Sequence, residues 1–141
     1  MFSAPAFWPA LGGSEPTVVW DARVVARDND WGLTALASDA GRLRLAGISF
    51  NTGVRLRLLV AARDVVLTLE PPLASSALNA LPVQVESLES RGNGLVLVRL
   101  TAGGRAPLWA EVSRQSAAAL RLAPGRRVHA LIRPQLLGGP D

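Results

Sequence analysis

Hydrophobic and polar residues alternate along most of the chain from Thr17 onward. Alternation with a period of two is typical of a β-strand that buries one face. It is strictest in RLRLAGI (42–48), and Gly, Asn, Asp and Pro interrupt it at short intervals, where we expect turns. The pattern predicts nine strands. They are expected at residues 17–27, 31–37, 42–48, 54–60, 65–70, 81–90, 95–101, 106–112 and 127–133.

One segment follows a different pattern. SRQSAAALRL (113–122) is rich in helix-forming residues and begins with Ser113, whose hydroxyl is a good N-cap. The following APG (123–125) ends the run. We therefore predict one short helix near 113–121, and we expect the tail QLLGGPD (135–141) to fray.

Many short strands with turns every 8–12 residues or so favour an all-β barrel or sandwich. The strands also show a weak internal repeat, which predicts two related halves. GRLRLAGIS (41–49) resembles GRAPLWAEVS (104–113), and GVRLRLLVA (53–61) resembles GRRVHALIR (125–133). Alternating strands that follow glycine turns resemble one another in any case, so chance similarity is the competing interpretation.

Residues 1–16 are rich in Pro, Gly, Ala and Ser and lack alternation, so we interpret them as a linker. They carry no basic segment and are interrupted by Pro5 and Pro9, which is unlike a secretory signal. No apolar run in the chain reaches the roughly 18–20 residues that span a bilayer.

The composition excludes several kinds of chemistry. The 141 residues include no cysteine, which excludes disulfides, thiolate metal sites and cysteine nucleophiles. The single histidine, His129, excludes a multi-histidine metal site, and we expect it on a strand face. All 15 basic residues are arginine, so a phosphate-binding loop that ends in lysine is absent. We therefore predict no catalytic residue, no metal site and no cofactor.

Three positions could instead hold an anion. The segment SSALNAL (75–81) combines small residues with serine hydroxyls and the Asn79 amide, and such a cluster of neutral donors can surround an oxyanion. Ser113 lies at a predicted helix N-terminus, and Arg133 ends the last strand. The competing interpretations are a plain turn, a simple helix cap and an exposed charge at a strand end.

The same three positions carry a resemblance to a known family. SALNAL (76–81) resembles the S-A-R-N-x-L signature of the molybdate-binding Mop-type, or TOBE, domains, and residues 109–133 resemble the rest of that module. Residues 22–38 and 54–72 resemble the segment that precedes the signature in the ATP-binding subunit of molybdate ABC transporters. The resemblance covers roughly residues 17–137.

The resemblance implies a fold and a function. The fold would be a tandem pair of OB-like β-barrel halves: residues 17–74 form the first and residues 75–141 form the Mop-type second. The function would be a regulatory domain that binds molybdate or tungstate where the domains of two subunits meet, and thereby holds the transporter at rest (trans-inhibition). The implied partners are a second copy in a homodimer, the parent ATPase and the membrane subunits. The implied location is the cytoplasmic face of the cell membrane.

The resemblance also implies the ligands. Ser76 and Asn79 match the signature, Ala77 and Leu78 would offer backbone N–H groups, Ser113 matches a Ser/Thr at the helix start, and Arg133 matches a lysine. The sequence departs from the family in two places. Leu78 stands where the signature has arginine, and Pro134, which has no N–H, follows Arg133.

Two other functions compete with oxyanion binding. A purely structural dimerisation domain would keep the fold without a ligand, and Leu78 and Pro134 favour it. The sequence pI of about 11.4 raises the question of nucleic acid binding. Such OB domains stack bases on aromatic rings. Here four of the aromatic residues, Phe2, Phe7, Trp8 and Trp20, lie at or before the first strand. We therefore expect no nucleic acid partner.

Overall fold

The computed structural model describes residues 15–103 and 105–137. Within these ranges the chain forms two five-stranded antiparallel sheets, which confirms the predicted all-β fold. No helix in the described ranges is long and apolar enough to cross a membrane.

The strands follow one another with few interruptions. The strands are β1 (Thr17–Asp28), β2 (Leu33–Ser38), β3 (Gly41–Ala46), β4 (Arg55–Ala61), β5 (Val66–Thr68), β6 (Asn79–Gly92), β7 (Leu95–Ala102), β8 (Ala106–Ser113), β9 (Arg127–Ile132) and β10 (Gln135–Leu136). A 3-10 turn at Ala62–Asp64 follows β4, and a helix, α1 (Arg114–Ala119), follows β8. The first sheet has the order β10-β4-β1-β2-β3 and the second has the order β5-β9-β6-β7-β8.

The two sheets are built in the same way. In each, the first, second and third strands of one half pair in sequence, and the fourth strand pairs with the first. The fifth strand of each half crosses to the other sheet, so that β5 pairs with β9 and β10 pairs with β4. The halves are therefore joined through their strand ladders.

The first strands of the two halves also share structural details. Both β1 and β6 carry a β-bulge, after Val24 and after Val85. Val24 donates to the Val54 carbonyl at 2.9 Å and accepts from the Gly53 N–H at 2.8 Å; Val85 bonds in the same way to the turn before β9. Gly53 and Gly125 occupy the same place in the two turns, and both have φ above +90°, a conformation that glycine adopts without steric cost.

The core lies between the two sheets. The buried residues of β1 and β6 alternate, as the sequence pattern predicted, and Trp20 and Trp109 are almost fully buried there. The Trp20 indole N–H donates to the Pro107 carbonyl of the opposite sheet at 2.9 Å. Truncating a buried tryptophan to alanine costs roughly 3–5 kcal/mol, so each of these two side chains contributes substantially to the stability of the core.

Most element predictions are confirmed and a few are wrong at the ends. Leu33, rather than Trp31, begins β2, because Trp31 lies in the turn and is 78% exposed. The tail does not fray at Gln135–Leu136, which forms β10 on the edge of the first sheet. The predicted linker lies almost wholly outside the described residues; at its end, Pro16 is buried and accepts a hydrogen bond from the Ala62 N–H.

Candidate functional site

A cleft of about 320 Å³ opens where the start of β6 meets the end of β9 and the edge strand β3. The two halves of the chain both contribute to it. Its lining residues are Arg44, Leu45, Ala46, Ser76, Ala77, Leu78, Asn79, Ile132, Arg133 and Pro134. Five of the six residues singled out by the sequence, all except Ser113, therefore lie together.

Asn79 fixes the geometry of the cleft. The side chain is buried, with 6% exposure, and its amide bonds to the backbone of Arg44 on β3. Asn79 Oδ1 accepts from the Arg44 N–H at 2.8 Å, and Nδ2 donates to the Arg44 carbonyl at 2.9 Å. A buried group left without its partner costs roughly 1–3 kcal/mol. Asn79 thus anchors β3, and its amide is engaged in these two bonds.

The loop before β6 forms the outer wall of the cleft. Ser76 and Leu78 are exposed and Ala77 is half-buried. The Ala77 N–H donates to the Ser75 hydroxyl at 3.0 Å, which is the local turn bond that serine commonly makes. An anion that used the Ala77 N–H would have to displace Ser75, whereas the Ser76 hydroxyl is exposed at the cleft.

The charge of the cleft is positive. Arg133 follows the last residue of β9 and is exposed, and Arg44 on β3 is exposed as well. None of the residues that line the cleft in the described part of the chain is acidic. Arginine presents a planar fork of donors that suits the oxygens of an oxyanion.

Arg44 is the charged residue of this cleft that the sequence analysis did not single out. In RLRL it is one of several alternating arginines, and the pattern places it only on an exposed face. In the fold its guanidinium donates to the Leu78 carbonyl at 3.3 Å, across a separation of 34 residues. The sequence contains no local signal for this contact.

Ser113 lies elsewhere. It is the N-cap of α1, and its hydroxyl accepts from the Ser116 N–H at 2.9 Å, which confirms the predicted cap. Ser113 lines a different cleft, together with Arg63, Glu111 and Ser116. Within one chain it therefore does not join Ser76 and Arg133.

One other cleft suits an oxyanion less well. It has a volume of about 480 Å³, lies on the outer face of the first sheet and is lined by Asp21 and Asp39 as well as by arginines. Carboxylates repel an oxyanion. In the described ranges, no group of three or more His, Asp or Glu side chains is placed to hold a metal ion.

Comparisons with known proteins identify the same part of the chain. Residues 75–135 match the TOBE domain model. The chain is 44% identical over 132 residues to the Molybdenum import ATP-binding protein ModC of Thiobacillus denitrificans, covering 93% of this chain and 36% of that protein. It is 37% identical over 137 residues to the protein of the same name from Paramagnetospirillum magneticum, covering 97% and 38%. The chain thus spans little more than a third of the length of these relatives.

A solved structure supports the fold. The cytoplasmic molybdate-binding protein ModG, in a crystal form with molybdate bound, superposes with a TM-score of 0.73 at 22% sequence identity. The match covers 84% of this chain and 94% of ModG. The predicted tandem OB-like architecture is confirmed by this likeness. The chain therefore contains a TOBE domain, at residues 75–135, and is similar over most of its length to a part of the molybdenum import ATP-binding proteins.

Proposed function

We propose that the chain is a regulatory domain that binds molybdate or tungstate in the cleft between Ser76 and Arg133. One observation carries the proposal: the family signature loop and the end of β9 meet in a cleft that is lined by two arginines and no acidic residue. The names of the ModC relatives and of ModG support the choice of oxyanion. The domain would sense the imported ion on behalf of an ATP-binding subunit.

The physical chemistry of a tetrahedral dianion fits this cleft. Removing a dianion from water requires cations or many hydrogen-bond donors. A pair of unit charges 4 Å apart gains about 4 kcal/mol at an effective dielectric near 20. Arg133 at the end of β9, together with the Ser76 hydroxyl, supplies both kinds of interaction at one place.

The complete site would form between two copies of the chain. Ser113 is a predicted ligand, yet it lies in another cleft of the same chain, so it can reach the anion only from a second copy. A homodimer with the oxyanion at the interface would join two ATPase subunits through their regulatory domains. Such a bridge would hold the transporter in its resting state when the ion is abundant.

The remaining parts of the function follow from this role. The chain itself would not be a catalyst, since hydrolysis belongs to the nucleotide-binding part of such a subunit. Its partners would be that ATPase part and the membrane subunits of the transporter. The domain would then lie in the cytoplasm, at the inner face of the membrane.

The second candidate is a dimerisation domain that binds no ligand. Leu78 removes the signature arginine, and Pro134 has no N–H to donate. The bond between the Ala77 N–H and Ser75 also favours this candidate, because it occupies a predicted anion donor. This domain would form the same dimer with and without oxyanion.

A thermal-shift titration with molybdate, tungstate and sulfate tests the proposal. A ligand that binds only the folded state adds about 2.7 kcal/mol of stability at a hundred times its Kd. We expect molybdate and tungstate to raise the Tm. Arg133→Gln should reduce this rise strongly because it removes a cation from the cleft.

Arg127→Gln is the matched control, since Arg127 is exposed on the same strand and lies outside the cleft. It should respond to tungstate as the unmodified protein does. An unmodified protein that shows no shift at millimolar ligand, and whose sedimentation shows a dimer regardless of ligand, would establish the structural alternative instead.

A further inference from the structure

We propose that Arg44, on the first-half strand β3, is the second cation of the oxyanion cleft and replaces the signature arginine missing at Leu78. This inference rests on the proposed function and assigns a ligand that the sequence signature does not contain. The oxyanion would then be bound by residues from both halves of the chain.

The position of Arg44 is the first argument. Arg44 lines the same cleft as Arg133, and its guanidinium donates to the carbonyl of Leu78, at the very position where the signature has arginine. The guanidinium therefore lies within hydrogen-bond distance of the backbone that would carry the missing side chain. Five N–H donors on one guanidinium leave others available after this bond.

The way in which Arg44 is held is the second argument. Asn79 bonds to both the N–H and the carbonyl of Arg44, at 2.8 and 2.9 Å. The neighbours of Arg44 in β3 are Leu43 and Leu45, which are buried in the core. The backbone that carries the guanidinium is thus fixed on both sides, which is what a preorganised binding residue requires.

These contacts also assign Asn79 a different role from the one the resemblance implies. Because its amide oxygen and nitrogen both bond to β3, Asn79 acts as a positioning residue for Arg44. The oxyanion would then lie between Arg44 of the first sheet and Arg133 at the end of β9, in the second. Binding would cross-link the two sheets at this cleft.

Tungstate titration of Arg44→Gln by calorimetry tests the inference. A charge-assisted hydrogen bond is worth enough to change an affinity by about tenfold or more. We expect Arg44→Gln to weaken tungstate binding at least that much, and Arg44→Lys to weaken it less. Arg42→Gln is the matched control, because Arg42 is exposed on the same face of β3 and does not line the cleft.

A rescue experiment distinguishes whether Arg44 binds the oxyanion through its charge or only stabilises the structure. The double variant Arg44→Gln/Leu78→Arg returns the cation to its signature position, and it should recover most of the lost affinity. A guanidinium that merely stabilises the Leu78 loop would not be replaced in this way. The Tm of each variant without ligand shows whether it is folded.

The outcomes distinguish this inference from the proposed function. If the unmodified protein binds tungstate and Arg44→Gln binds it equally well, Arg44 is not a ligand and the proposed function stands. Weak binding by Arg44→Gln that Leu78→Arg does not restore also overturns the inference. If the unmodified protein binds neither tungstate nor molybdate, the proposed function and the inference fail together.

Discussion

Ser113 has a structural role in the described fold and a proposed role in anion binding, and aspartate at this position separates the two. Aspartate caps a helix about as well as serine, whereas alanine costs roughly 1 kcal/mol. Ser113→Asp should therefore keep the free energy of unfolding within about 0.5 kcal/mol of the unmodified protein. Its negative charge should weaken tungstate binding at least tenfold if Ser113 faces an oxyanion held by a second copy.

Urea unfolding measures the cap and calorimetry measures the binding. Ser113→Ala is the companion variant: it should lose about 1 kcal/mol of stability and less affinity than the aspartate variant. Unchanged tungstate binding by Ser113→Asp would show that Ser113 is only a helix cap. The oxyanion would then be held without it.

At the same scale, the sequence could predict some members of the cleft and not others. Ser76 and Arg133 belong to segments that the family signature marks, and the pairing of Asn79 with Ile132 brings those segments together. Arg44 enters the cleft through contacts with Leu78 and Asn79 that span 34 and 35 residues. Local alternation specifies which face of β3 Arg44 occupies, but not what lies opposite that face.

On the scale of the elements, two turns from different halves of the chain lie in close contact, which leaves no room for a larger residue. Gly103, in the turn between β7 and β8, has φ +54°, and a Cβ there would lie 2.7 Å from the backbone of Ala40. Gly32 has a similar φ of +66° with open space around it. Both alanine variants lose roughly 1–2 kcal/mol to the left-handed backbone. Gly103→Ala should lose about 1–3 kcal/mol more, because backbone cannot move aside as a side chain can.

Urea unfolding of Gly103→Ala and Gly32→Ala measures this difference directly. Equal losses in the two variants would mean that the turns move apart freely. The contact between Gly103 and Ala40 would then contribute little to the packing of the two halves.

The strands themselves were largely predictable, because alternation and glycine turns are local features. Every strand from β1 to β9 lies within a few residues of its predicted position. β10 was missed because Gln135–Leu136 is too short to show a period and forms only by pairing with β4 in the other half. The crossing of β5 and β10 between the sheets is likewise a long-range property.

On the scale of the whole molecule, the internal symmetry of the fold shows which residues occupy equivalent places in the two halves. The bulges align Val24 with Val85, and the turns align Gly53 with Gly125. Counting along the first, third and fourth strands of each half then gives the counterpart of each cleft residue in the other half. Asn79 corresponds to Val18, Arg133 to Ala61, Arg44 to Trp109 and Ser76 to Glu15.

The place in the fold that corresponds to the cleft thus lacks the groups that would hold an anion in the proposed site. Both cations are replaced by uncharged side chains, and the serine is replaced by a carboxylate. Glu15 pairs with Arg63, with Arg63 Nε 2.7 Å from Glu15 Oε2, so the nearby arginine already has an anionic partner. A carboxylate at this place repels an oxyanion.

We therefore expect the chain to bind one oxyanion per copy, even though its fold is duplicated. Calorimetric titration with tungstate should saturate at one ion per chain, and elemental analysis of the dialysed complex should give the same ratio. Arg133→Gln should lower the bound tungstate without exposing a second class of site, because the corresponding place in the fold lacks counterparts of both Arg133 and Arg44. Two ions per chain, with one retained in Arg133→Gln, would contradict this argument and would mean that the half containing Glu15 also binds the ion.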